Sequence, residues 1–565
     1  MSVEADVHDG LPAFQMTGNL SQETREGQER VRTALKNAGF RLPAKKIIVN
    51  LSPADIRKDG TAYDLAVGAA VLGAFGLLDP DMFSDSLLLG ELGLDGVVKP
   101  VKGVLPIVAS AREQGIRRCF LPRENAREGS LVEGIAIIPV DSMKQLADML
   151  APGSWAPVRS FTEAASGGAA GARAGVGAGG AAGARAGGDS GEAYDEAYDA
   201  GYDVDFADLN GQQLIRRATE IAVAGRHNIL YIGPAGSGKT MAAMRIPTIM
   251  PPLSREESIE ISKIYSICGL LPPKTPLIRA RPFRSPHHTI TPAALAGGGA
   301  SPRPGEISLA SGGVLFLDEL PEFSGKAIEI LRQPLEEREV RISRLHRVCT
   351  FPADTVLAAA CNPCPCGFYP DRSRCRCSEW QVKRYLGRIS RPILDRIDIT
   401  VEAAPVSYEE LRRKGQNESS AQIRSRVIRV QKLQAERFAG RESIRFNGDM
   451  GAKEIEEFCR LDQESEEYLQ EIYERLKLSA RGCHKVLKVA RTLRIWMAQS
   501  RLDGFICARP QATALWRINT GTDKGGFDHG EPEAGERKGS IVLAIPNPFS
   551  GGGYRRPDAC RHRKL

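Results

Sequence analysis

A glycine-rich stretch that ends in lysine and threonine, residues 233–240, has the composition of a phosphate-binding loop. It follows an apolar run and precedes a predicted helix start. In a strand–loop–helix unit, backbone N–H groups and the positive end of the helix dipole face a bound anion. The G-x-x-x-x-G-K-T spacing predicts that Lys239 meets the β- and γ-phosphates of ATP and that the Thr240 hydroxyl is a ligand of Mg²⁺. The loop residues expected to bind the nucleotide are Gly233, Pro234, Ala235, Gly236, Ser237, Gly238, Lys239 and Thr240.

Two further apolar runs end in polar side chains that complement this loop. Residues 313–317 lead into the carboxylates Asp318 and Glu319, and residues 356–361 lead into Asn362. Buried strands of parallel sheets have this composition, and function gathers at their carboxyl ends. Asp318 is predicted to hold Mg²⁺ through water, and Glu319 to orient and activate the attacking water.

Four cysteines follow Asn362 in two C-x-C pairs that eight residues separate. Four thiolates can close a tetrahedral Zn²⁺ site. Free thiols on an arginine-rich surface loop are the alternative. The candidate ligands are Cys364, Cys366, Cys375 and Cys377.

The first 150 residues alternate short apolar runs with longer amphipathic stretches, which predicts an α/β or α+β unit. The predicted strands are 47–51, 87–90, 118–122 and 135–139, and the predicted helices are 25–38, 62–75, 103–114 and 143–150.

The composition is that of a globular protein, with 565 residues, a hydrophobic fraction of 42% and a charged fraction of 26%. No run approaches the ~18 apolar residues that span a bilayer, and the acidic start lacks a signal-peptide core. We therefore expect a cytoplasmic protein without a membrane partner, whose twelve cysteines are thiols or metal ligands. The net charge of +7 permits nucleic-acid binding but does not argue for it.

Several stretches resemble the ComM/YifB family, in the magnesium-chelatase branch of AAA+ ATPases. They are residues 10–14, 50–55, 58–60, 90–96 and 281–289. The resemblance implies an α/β fold: a P-loop AAA+ parallel-sheet core with a helical lid, preceded by an α/β Lon-protease-like domain. In a Lon protease a Ser nucleophile and a Lys base would stand where this chain has Ala62 and Leu105. Because acyl transfer needs both groups, the resemblance implies a non-proteolytic domain.

The same resemblance assigns roles to residues outside the loop. It places Gly211 and Gln212 beside the nucleotide base, makes Asn362 the sensor of the γ-phosphate, and makes Arg481 a second sensor that reaches ATP from the lid. Arg396 is the implied arginine finger, since a planar, permanently charged guanidinium can reach phosphate oxygens across a subunit interface. A finger in trans implies a homo-oligomeric ring, expected to be a hexamer. An ion pair of Arg396 with Asp395 or Asp398 in its own subunit is the alternative.

The stretch 281–289 belongs to a region that faces the pore in the resembled ATPases. Arg284, His287 and His288 could there contact the phosphates of a threaded DNA strand. A metal site at the two histidines is a second interpretation, although adjacent side chains point in different directions on regular structure. A hydrogen-bonding role is a third.

The expected domain organisation has five parts. They are a Lon-like domain at 1–152, a Gly/Ala-rich flexible linker at 153–204, an AAA+ core at 205–405, a helical lid at 406–493 and an atypical tail at 494–565. The tail lacks a helical period, and we hypothesise a frameshift near Leu493. The Gly-Leu-Pro stretch already begins at Gly10, so we also expect a truncated start and a missing edge strand.

Three functions follow as hypotheses. The first is an ATP-hydrolysing ring that moves along or remodels DNA, which the family resemblance narrows to branch migration or helicase activity in natural transformation or recombination. The second is a chelatase-like ATPase subunit that drives metal insertion by a partner. The third is a regulator that binds nucleotide without DNA motor activity.

Overall fold

The computed structural model describes residues 1–151 except 84, and residues 202–496 except 273, 300–301, 345–346, 407, 409–411, 413–416 and 442–443. The predicted linker up to residue 201 and the predicted tail from residue 497 lie outside the described residues. The strands are β1 Ser2–His8, β2 Ala13–Thr17, β3 Lys46–Ser52, β4 Ser86–Leu88, β5 Glu91–Leu92, β6 Val98–Lys99, β7 Arg118–Pro122, β8 Ala136–Val140, β9 Ile229–Ile232, β10 Phe283–Arg284, β11 Gly297–Gly298, β12 Arg303–Pro304, β13 Val314–Leu317, β14 Glu339–Arg344, β15 Arg347–Pro352, β16 Val356–Cys361 and β17 Ile399–Glu402. The α-helices are α1 Gln22–Asn37, α2 Asp64–Ala74, α3 Val104–Glu113, α4 Arg123–Gly129, α5 Met143–Met149, α6 Gln213–Gly225, α7 Lys239–Met244, α8 Ile246–Ile249, α9 Arg255–Cys268, α10 Pro292–Ala296, α11 Glu306–Leu309, α12 Gly325–Ile330, α13 Arg332–Glu337, α14 Glu379–Leu386, α15 Arg391–Leu394, α16 Ser420–Arg437, α17 Ala452–Phe458, α18 Gln463–Leu476 and α19 Ala480–Trp496.

The N-terminal unit has two three-stranded sheets, in the orders β1-β3-β2 and β4-β7-β8. Its predicted strands and helices are confirmed, with ends that shift by a few residues. The expectation of a missing edge strand is wrong, because β1 pairs with β3 from Ser2–Ser52 to His8–Lys46. Alternating exposed and half-buried residues along β1 are typical of an edge strand with one face on the core.

A parallel five-stranded sheet in the order β10-β13-β16-β9-β17 forms the second unit. Its central strands β9, β13 and β16 are buried along their whole length. Successive side chains of a strand point to opposite faces, so Ile229 and Tyr231 pack in one apolar cluster while Leu230 and Ile232 pack in another. Helices on both faces complete these two clusters, which is the usual arrangement for a fully parallel sheet.

Strand register brings three chain segments to one edge of this sheet. Ile232 pairs with Cys361, and Leu317 pairs with Ala359. The phosphate loop, Asp318 and Asn362 each follow one of these parallel strands directly, so all three lie at the carboxyl edge. The fold therefore gathers polar residues that are spread over more than a hundred positions of the sequence.

The C-terminal helices close the described chain. Helices α17, α18 and α19 share a small apolar cluster, while α16 and the end of α19 pack on the cluster that covers one face of the sheet. The Ser479 hydroxyl accepts a hydrogen bond from the Gly482 backbone at the start of α19. The helix continues past Leu493 and buries Ile495. Among the helices described here, none is both long enough and apolar enough to cross a membrane.

Candidate functional site

The phosphate loop links β9 to α7 in the predicted strand–loop–helix arrangement. Gly238 has a φ of +82°, a left-handed conformation that glycine adopts without steric cost, and it precedes the first residue of α7. A Cβ at Gly233 would lie 2.4 Å from the Ala403 carbonyl oxygen, so the loop passes too close to the neighbouring chain for a larger residue. These glycines leave the loop backbone open to an anion.

Lys239 is folded back into this loop. Its ammonium group donates to the carbonyl oxygens of Gly233 at 2.7 Å and Pro234 at 2.8 Å, and to Asn362 Oδ1 at 3.3 Å. Burial lowers the pKa of Lys239, while the nearby carboxylates of Asp318 and Glu319 favour its charged form. The predicted phosphate-binding cation and the predicted γ-phosphate sensor thus lie within hydrogen-bond distance.

The predicted Mg²⁺ ligands also meet. Thr240 Oγ1 donates to Asp318 Oδ2 at 2.8 Å, and the Glu319 backbone N–H donates to Asp318 Oδ1 at 2.9 Å. Mg²⁺ prefers oxygen ligands and often takes one or two from protein with the rest from phosphate and water. The hydroxyl and carboxylate at this edge fit that ligand set.

Glu319 adopts a left-handed backbone conformation with a φ of +52°. Residues other than glycine are strained by about 1–3 kcal/mol there, and such strain clusters at active sites. Its side chain is 53% exposed, with His288 Nδ1 at 3.6 Å from Glu319 Oε2. The carboxylate is accessible to water beside the predicted Mg²⁺ ligands, which the predicted role of general base requires.

Gln212 is buried next to the phosphate loop and binds its backbone. It is 4% exposed, and its Nε2 donates to the carbonyl oxygens of Ser237 at 3.0 Å and Ala404 at 2.6 Å. The neighbouring Gly211 has a φ of +74°. This amide therefore fixes the loop conformation, and contact of Gly211 and Gln212 with a nucleotide base stays a prediction.

Arg396 and Arg481 lie at the opposite edge of the sheet. Arg396 precedes β17, and its carbonyl oxygen accepts from Asn228 Nδ2, just before β9. Both guanidinium groups approach Glu336 Oε1, Arg396 at 2.5 Å and Arg481 at 3.9 Å. The partner of Arg396 within the subunit is Glu336, not Asp395 or Asp398, and of the two arginines only Arg481 is well exposed.

These two arginines line a cavity of about 480 Å³ together with Glu336 and Lys485. Lys485 Nζ donates to the carbonyl oxygens of Leu394 and Ile397, which ties α19 to the segment that carries Arg396. The structure therefore brings the two predicted arginines together, but not to the phosphate loop of their own chain.

The stretch 281–289 is largely anchored within the subunit. Arg281 donates to the carbonyl oxygens of Pro251 and Gly312, and Arg284 makes two hydrogen bonds of 2.6 and 2.7 Å to Glu306. The ring centroids of His287 and His288 lie 4.0 Å apart. In the described part of the chain, the four-cysteine cluster is the sole group of at least three His, Cys, Asp or Glu residues close enough to share a metal ion.

That cluster joins all four predicted cysteines. Their sulfur atoms lie within 4.8 Å of one another, and those of Cys364 and Cys366 are 3.3 Å apart. A hydrogen bond with the Phe368 backbone is the main cause that lowers the pKa of Cys366 to about 6, with further contributions from the other three thiols. Zn²⁺ binds the thiolate form of cysteine, so the donor set fits this ion.

In the N-terminal unit, the positions of the absent Lon nucleophile and base adjoin one apolar cluster. Leu105 is fully buried in it and Ala62 packs against it. The Leu105 backbone donates to Glu128 Oε1 at 3.0 Å. Both positions that the resemblance assigns to a catalytic pair are thus occupied by apolar side chains.

Glu336 and the contact between His288 and Glu319 were not predicted from the sequence. Glu336 stands in an ordinary charged helix, α13, without a motif around it. His288 reaches Glu319 only because β10 pairs with β13, and this register leaves no local signal. The exposed Trp380 was not predicted as a functional residue either, although the basic residues around it were an available signal.

Comparison with known proteins gives three family matches along the chain. A model described as "Magnesium chelatase, subunit ChlI" matches residues 205–411, "Subunit ChlI of Mg-chelatase" matches 3–125, and "Magnesium chelatase, subunit ChlI C-terminal" matches 417–494. These matches cover the sheet that carries the phosphate loop and both flanking regions.

Individual relatives agree. The chain is 37% identical to competence protein ComM of Haemophilus influenzae over 498 residues, 87% of this chain and 90% of that protein. It is 36% identical to the uncharacterized protein YifB of Escherichia coli over 495 residues, with 87% and 90% covered. Lon protease 2 of Bacillus subtilis is 30% identical over 121 residues, 21% of each chain. The chain belongs to the ComM/YifB family of magnesium-chelatase-like AAA+ ATPases.

Proposed function

We propose that this chain hydrolyses ATP in a homo-oligomeric ring, a hexamer, and uses the energy to move along or remodel DNA in the cytoplasm. The observation that carries the ATPase part is the meeting of Lys239, Asn362, Thr240, Asp318 and Glu319 at one sheet edge. DNA as the substrate is supported by the relative named as a competence protein and by a basic, aromatic surface. We narrow the DNA activity to branch migration or helicase action in transformation or recombination.

The proposed reaction follows from the side chains at this edge. Lys239 would exchange its loop carbonyl partners for phosphate oxygens, since its ammonium already points into the loop. Thr240 and Asp318 would hold Mg²⁺, which neutralises the charge that develops on the transferred phosphoryl group. Glu319 would take the proton of the attacking water, and Asn362 would orient that water or the γ-phosphate.

The place of Arg396 supports a ring. It lies at the amino edge of the sheet, whereas the phosphate loop lies at the carboxyl edge of the same strands. A head-to-tail interface between subunits can bring these unlike surfaces together, and such interfaces close into rings. We propose that Arg396 and Arg481 act on ATP held by the neighbouring subunit.

Mixing two inactive variants tests this placement. A ring of Arg396→Ala subunits lacks every finger, and a ring of Lys239→Ala subunits lacks every intact phosphate loop, so turnover should be low in each. Turnover should recover in mixed rings, where the intact loop of Arg396→Ala can lie beside the intact finger of Lys239→Ala. Random mixing in equal amounts restores about a quarter of the interfaces, because each needs one intact loop beside one intact finger. Phosphate release is measured against the mixing ratio.

Arg475→Ala removes a guanidinium on α18 that pairs with Glu471 and serves as the matched control. It should keep full turnover alone. Wild-type turnover in Arg396→Ala, or no recovery in mixtures although native mass spectrometry shows mixed rings, would contradict action in trans.

A surface around α14 supports DNA as the partner. Residues 372–388 carry six basic side chains and one acidic side chain. Trp380 is 65% exposed, and Arg384 lies over its ring at 5.1 Å. Arg374 lies over the Phe368 ring at 4.1 Å. Aromatic rings beside cations suit single-stranded nucleic acid, whose bases stack while its phosphates pair.

Trp380→Ala should weaken binding of single-stranded DNA roughly tenfold, because base–aromatic stacking contributes about 1–3 kcal/mol. Basal ATP hydrolysis should not change. Fluorescence anisotropy with a labelled oligonucleotide gives the affinity. Trp380→Phe should keep most of it, and Tyr473→Ala, which removes a half-exposed ring on α18, should keep all of it. Equal affinities in the four proteins would remove this surface from the DNA path.

The proposed function as a whole is tested by ATP hydrolysis with and without branched DNA. Hydrolysis should rise with DNA, and the effect should fall steeply with salt because phosphate contacts release counterions. Steady hydrolysis that DNA does not alter would favour a chelatase-like ATPase subunit. Nucleotide binding without hydrolysis would favour a regulator.

Zn²⁺ at Cys364, Cys366, Cys375 and Cys377 is part of this proposal, beside ATP and Mg²⁺. Its support is the close approach of the four sulfur atoms. A tetrahedron with Zn–S distances of about 2.3 Å places its sulfurs roughly 3.8 Å apart, close to the separations of 3.3, 3.5 and 3.8 Å among Cys364, Cys366 and Cys375.

A further inference from the structure

The loop that carries the four cysteines begins at the nucleotide site. Asn362 directly follows β16 and accepts a hydrogen bond from the Lys239 ammonium, and Cys364 comes two residues later. The loop then returns to the sheet unit at α14. A metal ion that holds the cysteines in place would therefore act within two residues of Asn362, the predicted γ-phosphate sensor.

The loop also lies next to the phosphate loop. Gly367, with a φ of +82°, would place a Cβ 3.8 Å from the Ala235 backbone nitrogen and 4.0 Å from Asn362 Cγ. The Tyr369 backbone N–H points to Cys364 Sγ at 3.4 Å. Residues 364–369 thus lie on the side of the predicted nucleotide site that holds Asn362.

Two of the thiols are anchored in the protein core. Cys364 and Cys375 are buried in the apolar cluster that also contains Val382 and Tyr385 of α14. Cys366 is exposed, at the open side of the group. Burying thiolates without a counterion is unfavourable, whereas a bound cation offsets that charge.

We propose that Zn²⁺ bound by Cys364, Cys366, Cys375 and Cys377 positions the Asn362 amide for ATP hydrolysis, although none of these thiols contacts the nucleotide. The effect on turnover rests on the proposed ATPase function, while zinc binding and the order of the loop do not. The zinc ion joins the start of the loop to its end and so holds residues 362–377 in one conformation. Metal binding at such a site contributes directly to local folding.

Zinc at this site should affect the rate of hydrolysis and leave the affinity for ATP nearly unchanged. The phosphate loop and Lys239 are held by β9, α7 and Gln212. Loss of zinc should therefore lower kcat roughly 10–100-fold, the effect of displacing a positioned group by about 1 Å, with little change in ATP affinity. A general loss of structure would reduce both together.

Three variants test this split in the full-length chain. Cys366→Ser removes the exposed ligand, Cys366→His keeps a ligand that zinc accepts in Cys₃His sites, and Cys349→Ser removes a thiol on β15 outside the cluster. The zinc content per chain is measured by inductively coupled plasma mass spectrometry. ATP affinity is measured with a fluorescent nucleotide, kcat by phosphate release, and loop order by hydrogen exchange of residues 362–377.

We expect one zinc ion per chain in the wild type, Cys349→Ser and Cys366→His, and none in Cys366→Ser. Only Cys366→Ser should lose kcat and exchange faster over residues 362–377. Wild-type protein without zinc, or wild-type kcat and exchange in zinc-free Cys366→Ser, would overturn the proposal. So would a loss of kcat in Cys366→His while it retains zinc. If the wild type does not hydrolyse ATP, the proposed function fails, and zinc content with hydrogen exchange still decides whether zinc orders the loop.

Discussion

Lys239→Ala is expected to abolish ATP binding and, with it, ATP hydrolysis. The ammonium group lies at the centre of the phosphate loop and has three oxygen partners there, all within hydrogen-bond distance. In the nucleotide complex its charge would face the β- and γ-phosphates. Two charge-assisted hydrogen bonds contribute about 3 kcal/mol or more together, so ATP affinity should fall at least ~100-fold. Titration with a fluorescent ATP analogue measures the loss.

The matched control for this variant is Lys326→Ala, which removes an exposed ammonium near the start of α12. It should bind ATP as the wild type does. Melting curves without nucleotide should show that Lys239→Ala remains folded, because its partners are loop carbonyl groups that water can satisfy. Tight ATP binding by Lys239→Ala would remove this loop from the nucleotide site.

Glu319→Gln should separate binding from chemistry. The carboxylate follows Asp318, the predicted Mg²⁺ ligand, is 53% exposed and has His288 Nδ1 at 3.6 Å from its Oε2. An amide of the same size cannot take a proton from water. General base catalysis contributes about 10²–10⁴-fold, so kcat should fall by that factor while ATP affinity is kept. Single-turnover phosphate release with bound ATP measures the chemical step.

Glu329→Gln offers a control for the change of charge, since Glu329 lies on α12 and pairs with Arg332. Its hydrolysis should match that of the wild type. Retained hydrolysis in Glu319→Gln would assign the base to another group. Lost ATP affinity in Glu319→Gln would show that the carboxylate holds the metal instead.

The meeting of the polar side chains at the carboxyl edge could be predicted from the sequence because the signals for it are local. The loop, Asp318, Glu319 and Asn362 each stand directly after an apolar run, and parallel strands align their carboxyl ends. Motif order was therefore enough to predict that these side chains meet. Their backbone details, such as the left-handed conformation of Glu319, depend on the fold around them.

The amino edge of the sheet could not be predicted in the same way. The alternative to an arginine finger was an ion pair of Arg396 with Asp395 or Asp398, yet its partner within the subunit is Glu336 of α13. That contact joins residues sixty positions apart through tertiary packing, which leaves no local signal in the sequence. The edge strand β1 was not predicted either, because the segment before the Gly-Leu-Pro stretch was judged too short to form a strand.

ATP and Mg²⁺ bound to Glu319→Gln and visualised by electron microscopy give the most direct test of the central claim, that this sheet edge is an ATP site. The triphosphate should lie along the backbone of residues 233–240, with Mg²⁺ about 2.1 Å from Thr240 Oγ1 and Asp318 in its water shell. The substituted amide side chain at position 319 should face the γ-phosphate beside Asn362. Nucleotide bound at another surface, with the loop and the two carboxylate positions empty, would contradict the account.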